Sequence, residues 1–246
     1  MTQTDKATQF KALHVPGDPL MLYNIWDAGG AKAVEAAGAK AIATGSHSVA
    51  EAHGYDDGEQ IPLDLVFPIA TRIAASTALP VTIDFEGAYS TDPAKAADNV
   101  AGLIATGAIG LNFEDQVVGG QGLHPTADQV ARIKAIRDCS PVPFFINART
   151  DVFLKAKPDA HEGLLDEAIT RGKAYADAGA DGFFIPGLLD AALVAQVCKA
   201  VPLPVNVMMR APLTRESAAE AGVGRISHGP IPYAQAMKTL QEVAVV

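Results

Sequence analysis

Ala178-Gly179-Ala180-Asp181-Gly182-Phe183 closes an alanine-rich run with a glycine and opens an apolar one, and the chain does this repeatedly. Ala37-Gly38-Ala39-Lys40-Ala41-Ile42 and Thr106-Gly107-Ala108-Ile109-Gly110-Leu111 have the same form, and Ala221-Gly222-Val223-Gly224-Arg225-Ile226 is a looser copy. A glycine after a helical run is the usual helix terminus, and the apolar residues beyond it start a strand. A second phrase alternates with the first: Leu79-Pro80-Val81, Val142-Pro143-Phe144 and Leu203-Pro204-Val205. Proline is tolerated at a strand entrance because the ladder has not yet begun. Together the phrases predict strands over 21–26, 41–45, 81–86, 110–115, 144–149, 182–186, 204–209 and 225–228. Helices are predicted over 28–37, 63–77, 93–106, 126–138, 161–178, 189–200, 214–221 and 231–243. Thr126-Ala127-Asp128-Gln129 and Thr214-Arg215-Glu216-Ser217 read as helix starts, the first with a capping-box glutamine. Alternation of this kind predicts an α/β fold, a (β/α)8 TIM barrel, with residues 1–246 as a single domain. No Gly-x-Gly-x-x-Gly turn follows the first strand, which argues against a doubly wound open sheet.

Composition narrows the partners. A net charge of −9 disfavours nucleic acid and anionic membranes but leaves a small anionic substrate open. No apolar stretch reaches the length of a membrane span, and Met1-Thr2-Gln3-Thr4-Asp5-Lys6 lacks the apolar core of a secretory signal, so a cytoplasmic enzyme is expected. Cys139 and Cys198 read as buried thiols, neither a disulfide nor a metal pair.

The chemistry concentrates at strand ends. In Val81-Thr82-Ile83-Asp84-Phe85-Glu86 the period-two alternation puts Thr82, Asp84 and Glu86 on one face; in Gly110-Leu111-Asn112-Phe113-Glu114 it pairs Asn112 with Glu114. Acids at the ends of buried strands are costly to desolvate without a cation or hydrogen bonds. Asp84, Glu86 and Glu114 therefore read as a site for a hard metal such as Mg²⁺. Asp84 and Glu86 are roughly 7 Å apart at their α-carbons, a spacing that suits one direct carboxylate and one acting through water.

Arg149, ending the fifth strand on the face of Phe145 and Asn147, offers a fork for a substrate carboxylate or phosphonate, or a salt bridge to Glu114 or Glu86. Asn206 reads either as a substrate ligand or as a hydrogen-bonded residue of the barrel interior. Thr44-Gly45-Ser46 follows the second strand, where small residues let backbone N–H groups approach an anion. His47, His124 and His228 are candidate proton carriers. The long connections at 46–62 and 116–125 should emerge at the C-terminal face, and Gly119-Gly120-Gln121-Gly122 gives the second the flexibility of a lid.

With these residues in view, the chain resembles the isocitrate lyase/phosphoenolpyruvate mutase superfamily along nearly its whole length. The likeness runs through Asn24-Ile25-Trp26-Asp27-Ala28, Thr44-Gly45-Ser46, Gly54-Tyr55-Asp56-Asp57-Gly58-Glu59, Asp84-Phe85-Glu86-Gly87, Asn112-Phe113-Glu114-Asp115, Ile146-Asn147-Ala148-Arg149-Thr150-Asp151 and Pro204-Val205-Asn206-Val207. It implies an Mg²⁺-dependent barrel enzyme, with Mn²⁺ as the alternative ion, acting on small 2-oxo acids or their precursors through an enolate. By that likeness Asp84 binds the metal, Glu86 and Glu114 contribute largely through water, and Asp57 is the loop acid near the metal. Thr44, Gly45, Ser46 and Arg149 hold the substrate carboxylate. A homo-oligomer is also implied; several relatives extend beyond the eighth helix and exchange it between subunits, whereas this chain ends soon after it.

The sequence departs from the family at one place. Isocitrate and methylisocitrate lyases carry a Lys-x-Cys-Gly-His stretch after the fourth strand, whose cysteine acts as acid and base. Here the segment reads Gln116-Val117-Val118-Gly119-Gly120-Gln121-Gly122-Leu123-His124, without cysteine or lysine. The expectation is a C–C lyase or decarboxylase acting on a small 2-oxo or 2-hydroxy di- or tricarboxylate, with His124 as a candidate proton donor. Two alternatives stand beside it: a P–C bond mutase or hydrolase of the phosphonopyruvate type, and a catalytically silent barrel that binds 2-oxo acids.

Overall fold

The computed structural model describes residues 1–244. Its strands are β1 (Leu20–Leu22), β2 (Asn24–Ile25), β3 (Ile42–Thr44), β4 (Val81–Asp84), β5 (Gly110–Glu114), β6 (Phe145–Arg149), β7 (Gly182–Phe184), β8 (Val205–Met208) and β9 (Arg225–Ser227). All pair in parallel, in the order β1-β9-β8-β7-β6-β5-β4-β3-β2. The single strand expected over 21–26 is broken at Tyr23. Its first half pairs with β9 (Leu20 opposite Arg225) and its second with β3 (Asn24 opposite Ala43), so the barrel closes through the two halves of this one strand.

The helices are α1 (Gln3–Ala12), α2 (Ala28–Ala36), α3 (Ser46–Ala52), α4 (Leu63–Ala75), α5 (Pro93–Ala105), α6 (Thr126–Cys139), α7 (Leu165–Asp177), α8 (Ala191–Ala200), α9 (Arg215–Glu220) and α10 (Ile231–Val243). Two were not expected. α1 starts at a capping box, with the Thr2 hydroxyl accepting from the Asp5 amide and the Asp5 carboxylate from the Thr2 amide. α3 is a short helix inside what reads in sequence as a plain loop. α10 lies against its own barrel, with the Tyr233 ring edge-on to Trp26 at 5.0 Å. Cys139 and Cys198 are half-buried and unbridged. Among the described residues no helix is long and apolar enough to cross a membrane.

The apolar residues separate into two bodies. The larger lies between strands and helices, through Ile83, Leu111, Phe113, Ile133, Ile146, Phe183 and Val207. The smaller fills the N-terminal end of the barrel, where Phe10 of α1 packs with Leu20, Leu22, Ala43 and Phe145. Between that plug and the opposite mouth the interior is polar, unlike the branched apolar layers usual in this fold. Asn112 Oδ1 accepts from Asn147 Nδ2 at 2.9 Å and from Arg225 Nη2 at 3.1 Å. Gly110 and Gly182 make room for this layer. A Cβ at Gly182 would lie 2.7 Å from Asn147 Oδ1, and one at Gly110 would lie 2.7 Å from the Phe145 carbonyl oxygen. Full burial pushes the Arg225 guanidinium down to about 9.

Candidate active site

The C-terminal ends of β3, β4, β5 and β6 bring the predicted residues together. Asp84 ends β4 and is held from three sides. Its Oδ2 accepts from the Ser46 amide (3.1 Å) and hydroxyl (3.2 Å), its Oδ1 accepts from Asn112 Nδ2 (3.2 Å), and its own amide donates to Thr44 Oγ1 (2.9 Å). The Gly45 amide donates to the Ile25 carbonyl at 3.3 Å, so the Thr44-Gly45-Ser46 corner acts first as a clamp on Asp84 and on the ladder.

Glu86 reaches the same cluster by a route the alternation does not describe. The strand ends at Asp84, and Glu86 sits in a left-handed turn at φ 49°. Its carboxylate accepts from the Glu59 amide at 3.0 Å and is almost wholly buried. Burial, and then the charges of Asp57, Glu114 and Asp84, push its carboxyl up to about 9. Glu114, equally buried, pairs with Arg149 Nη1 at 2.8 Å and accepts from Gln116 Nε2. Burial raises its pKa, with Asp151 and Asp84 adding to the rise and Arg149 opposing it. The Arg149 guanidinium is also gripped by Asp151, Nε to Oδ1 at 2.6 Å and Nη2 to Oδ2 at 2.8 Å, a partner not foreseen; of the two that were, Glu114 and Glu86, it pairs with Glu114. Asp57 lies half-exposed on the wall, 4.0 Å from His47 Nδ1, with its carboxyl raised by burial and by Asp84.

Ser46, His47, Asp57, Asp84, Asn112 and Arg149 face a cavity of about 240 Å³. Thr44 and Glu86 line a separate narrow cleft behind Asp84 instead. Asn206 is fully buried and spends its amide on Ser227 Oγ at 3.2 Å, which makes it an interior residue below the cavity wall. His124 is not brought to the cavity either. Its amide donates to the Asp115 carbonyl (2.7 Å) and its carbonyl accepts from Arg171 (3.0 Å), which ties it to the base of the loop. Burial and the nearby Arg132 lower its imidazole pKa.

His47, read from sequence as a candidate proton carrier, is on the wall. Other wall residues were not read as functional from sequence: the polar Asn24 and Ser227, and the apolar Leu154, Phe184, Pro186 and Pro230. For Ser227 the signal was available, since it alternates with the inward-facing Arg225 on β9. Leu154 and Pro186 come from loops, where no periodicity applies.

Among the described residues no three His, Cys, Asp or Glu side chains converge tightly enough to hold a metal unaided. Three direct carboxylate ligands are therefore not what this geometry offers. The donor set does fit a hydrated hard cation: carboxylate and hydroxyl oxygens gather around Asp84, and among the described residues neither Asp84 nor Glu86 has an ion pair. Asp84 on the cavity wall is the direct ligand such an ion would take, with Glu86 and Glu114 behind it.

The family model described as phosphoenolpyruvate phosphomutase matches residues 10–246. The chain is 35% identical over 225 residues to an uncharacterized protein of Mycobacterium tuberculosis (strain ATCC 25618 / H37Rv), a match covering 91% of this chain and 83% of that one. It is 32% identical over 205 residues to 2-methylisocitrate lyase of Escherichia coli (strain K12), covering 80% of this chain and 67% of the lyase. A crystal structure from Burkholderia cenocepacia J2315, which carries a provisional phosphonomutase name, matches with a TM-score of 0.95 at 48% identity over 98% of each chain. On fold, family model and relatives together, the chain belongs to the isocitrate lyase/phosphoenolpyruvate mutase superfamily of enzymes.

Proposed function

We propose that this protein is a divalent-cation-dependent lyase that breaks a carbon–carbon bond of a small 2-oxo or 2-hydroxy acid, by cleavage or decarboxylation, through an enolate. The cation is Mg²⁺, replaceable by Mn²⁺. The observation that carries this reading is the excess of carboxylates at the mouth: Asp57, Asp84, Glu86 and Glu114 crowd together, and the guanidinium that pairs with one of them, Arg149, is already shared by Glu114 and Asp151. Such a cluster is stable near neutral pH only with protons or a cation among its oxygens. When bound, the cation supplies positive charge opposite the substrate oxygens on which negative charge develops.

The protein's own groups do the rest. Ser46 and Asn112 fix the Asp84 carboxylate so that no reorganisation is needed during reaction. Arg149, locked by two acids, presents its remaining N–H groups to a substrate carboxylate. Asp57, on the wall and half-exposed, is placed to exchange a proton with a substrate hydroxyl. The loop Gln116–Leu123 brings no cationic side chain, which weighs against transfer of a phosphonate group.

Release of pyruvate or glyoxylate from oxaloacetate, isocitrate, methylisocitrate and phosphonopyruvate, with Mg²⁺ and with EDTA, tests the reading. Metal-dependent release from any carbon–carbon substrate supports it. Release from phosphonopyruvate alone moves the protein to the P–C bond reaction.

A further inference from the structure

The cavity has a mixed lining. Ser46, Asp57, Asp84 and Arg149 supply its hydroxyl and charged groups; Leu154, Phe184, Pro186, Met208 and Pro230 supply apolar surface, with the Phe184 ring 5.9 Å from the Arg149 guanidinium. Cations are scarce. Among the described residues Arg149 is the only arginine or lysine lining the cavity, and His47 the only histidine, already facing Glu51 at 3.5 Å and Asp57 at 4.0 Å. Lys155, next to Leu154, and Arg210, just beyond Met208 at the end of β8, are exposed and outside the lining.

The neutral polar residues of the lining are largely spent within the protein. Asn24 Nδ2 donates to the Thr44 carbonyl at 2.7 Å, and its Oδ1 accepts from the amides of His228 and Gly229, each at 2.9 Å. Ser227 Oγ is bonded to Asn206, and Asn112 is bonded to Asp84, Asn147 and Arg225. Free donors are thus concentrated at Arg149. A second anionic group on a substrate whose first carboxylate sits there, and which does not reach the cation at Asp84, would lie against the apolar lining or beside Asp57, with no second arginine or lysine of the lining to meet it. That desolvation cost weighs heavily against it.

We propose that the substrate is a 2-oxo acid with a single carboxylate and an apolar group at its far end, of the 4-hydroxy-2-oxoalkanoate class. This rests on the lyase reading above and narrows it. A cavity of about 240 Å³, many times the roughly 15 Å³ that a single water needs, has room for a pyruvyl unit and a short alkyl aldehyde. The reaction balances without a further reactant. The C3–C4 bond breaks, its electron pair passes toward the C2 oxygen as an enolate, and the C4 hydroxyl gives up its proton as the aldehyde forms. A proton returning to C3 completes pyruvate.

The test uses the full chain with Mg²⁺ and pairs of equal length: 2-oxohexanoate against 2-oxoglutarate for binding by calorimetry, and 4-hydroxy-2-oxohexanoate against 4-hydroxy-2-oxoglutarate for pyruvate release. The alkyl member of each pair is expected to be favoured by at least about tenfold, and Leu154→Lys, a rim substitution, to shrink or reverse that preference. Alkyl preference in binding without turnover on any substrate defeats the lyase reading, and with it the substrate assignment, and keeps only the preference for a ligand with one carboxylate and an apolar end. Turnover or binding that favours the charged member overturns this inference and leaves the lyase reading standing. Absence of binding by every 2-oxo acid defeats both.

Discussion

His14 should make the protein unstable in mild acid, and the size of the effect follows from its surroundings. The imidazole lies at the plugged end of the barrel, stacked on Phe145 at 4.3 Å and edge-on to Phe10 at 4.7 Å. Nδ1 donates to the Phe10 carbonyl at 2.8 Å, and Nε2 is buried without a partner. Burial first, and the nearby Arg225 second, push its pKa from 6.5 down to about 3. The folded protein therefore keeps His14 neutral while the unfolded chain protonates below 6.5, so stability is full above that pH and falls as the pH drops toward about 3. Each pH unit in this window costs about 1.4 kcal/mol, so about 2 kcal/mol is lost by pH 5. Several carboxylates with raised pKa values, Glu86 and Asp115 among them, shift stability in the opposite direction, and a variant is needed to isolate the histidine. His14→Leu removes the titration and adds only a pH-independent offset. Urea unfolding of both proteins at pH 7 and pH 5 should show the wild type losing about 2 kcal/mol relative to the variant. Parallel losses in the two proteins would refute the reasoning.

Three further outcomes follow from the same structure. Asp115→Ala should destabilise the protein by about 3 kcal/mol or more in urea unfolding, because it strips a wholly buried acceptor from Tyr175 (2.7 Å), Arg171 (3.2 Å) and the Asp151 amide (3.0 Å). Gly182→Ala should cost about 1–3 kcal/mol by the same assay, since its Cβ would press on Asn147 Oδ1. His124→Ala should leave turnover within about twofold of wild type, because the imidazole is outside the cavity lining; a loss of about a hundredfold would make it the general acid after all.

The barrel is legible in sequence wherever a helix ends in glycine and a strand begins with apolar residues, because these signals are local. The break at Tyr23 is not: both halves keep the same pattern, and only closure against Arg225 on one side and Ala43 on the other separates them. α1 carries its cap in Thr2 and Asp5 but buries only Ala7 and Phe10, too little to give a helical stripe. At the site, alternation places Asp84 and Asn112 side by side, and they meet at 3.2 Å. It fails past the end of β4, where Glu86 takes a left-handed turn, and it cannot rank depth, so Asn206 faces inward yet lies below the wall. The Asp151 grip on Arg149 and the apolar lining from Leu154, Pro186 and Pro230 arise from loops at the barrel mouth, which no local pattern encodes.

The most direct test of the central claim is Mn²⁺ binding, followed by the loss of the free-ion paramagnetic signal, in the wild type and in Asp84→Ala. The account predicts one ion per chain, displaced by Mg²⁺, with affinity reduced by about a hundredfold or more in the variant while the far-ultraviolet circular dichroism is unchanged. Equal Mn²⁺ binding by the two proteins would contradict it.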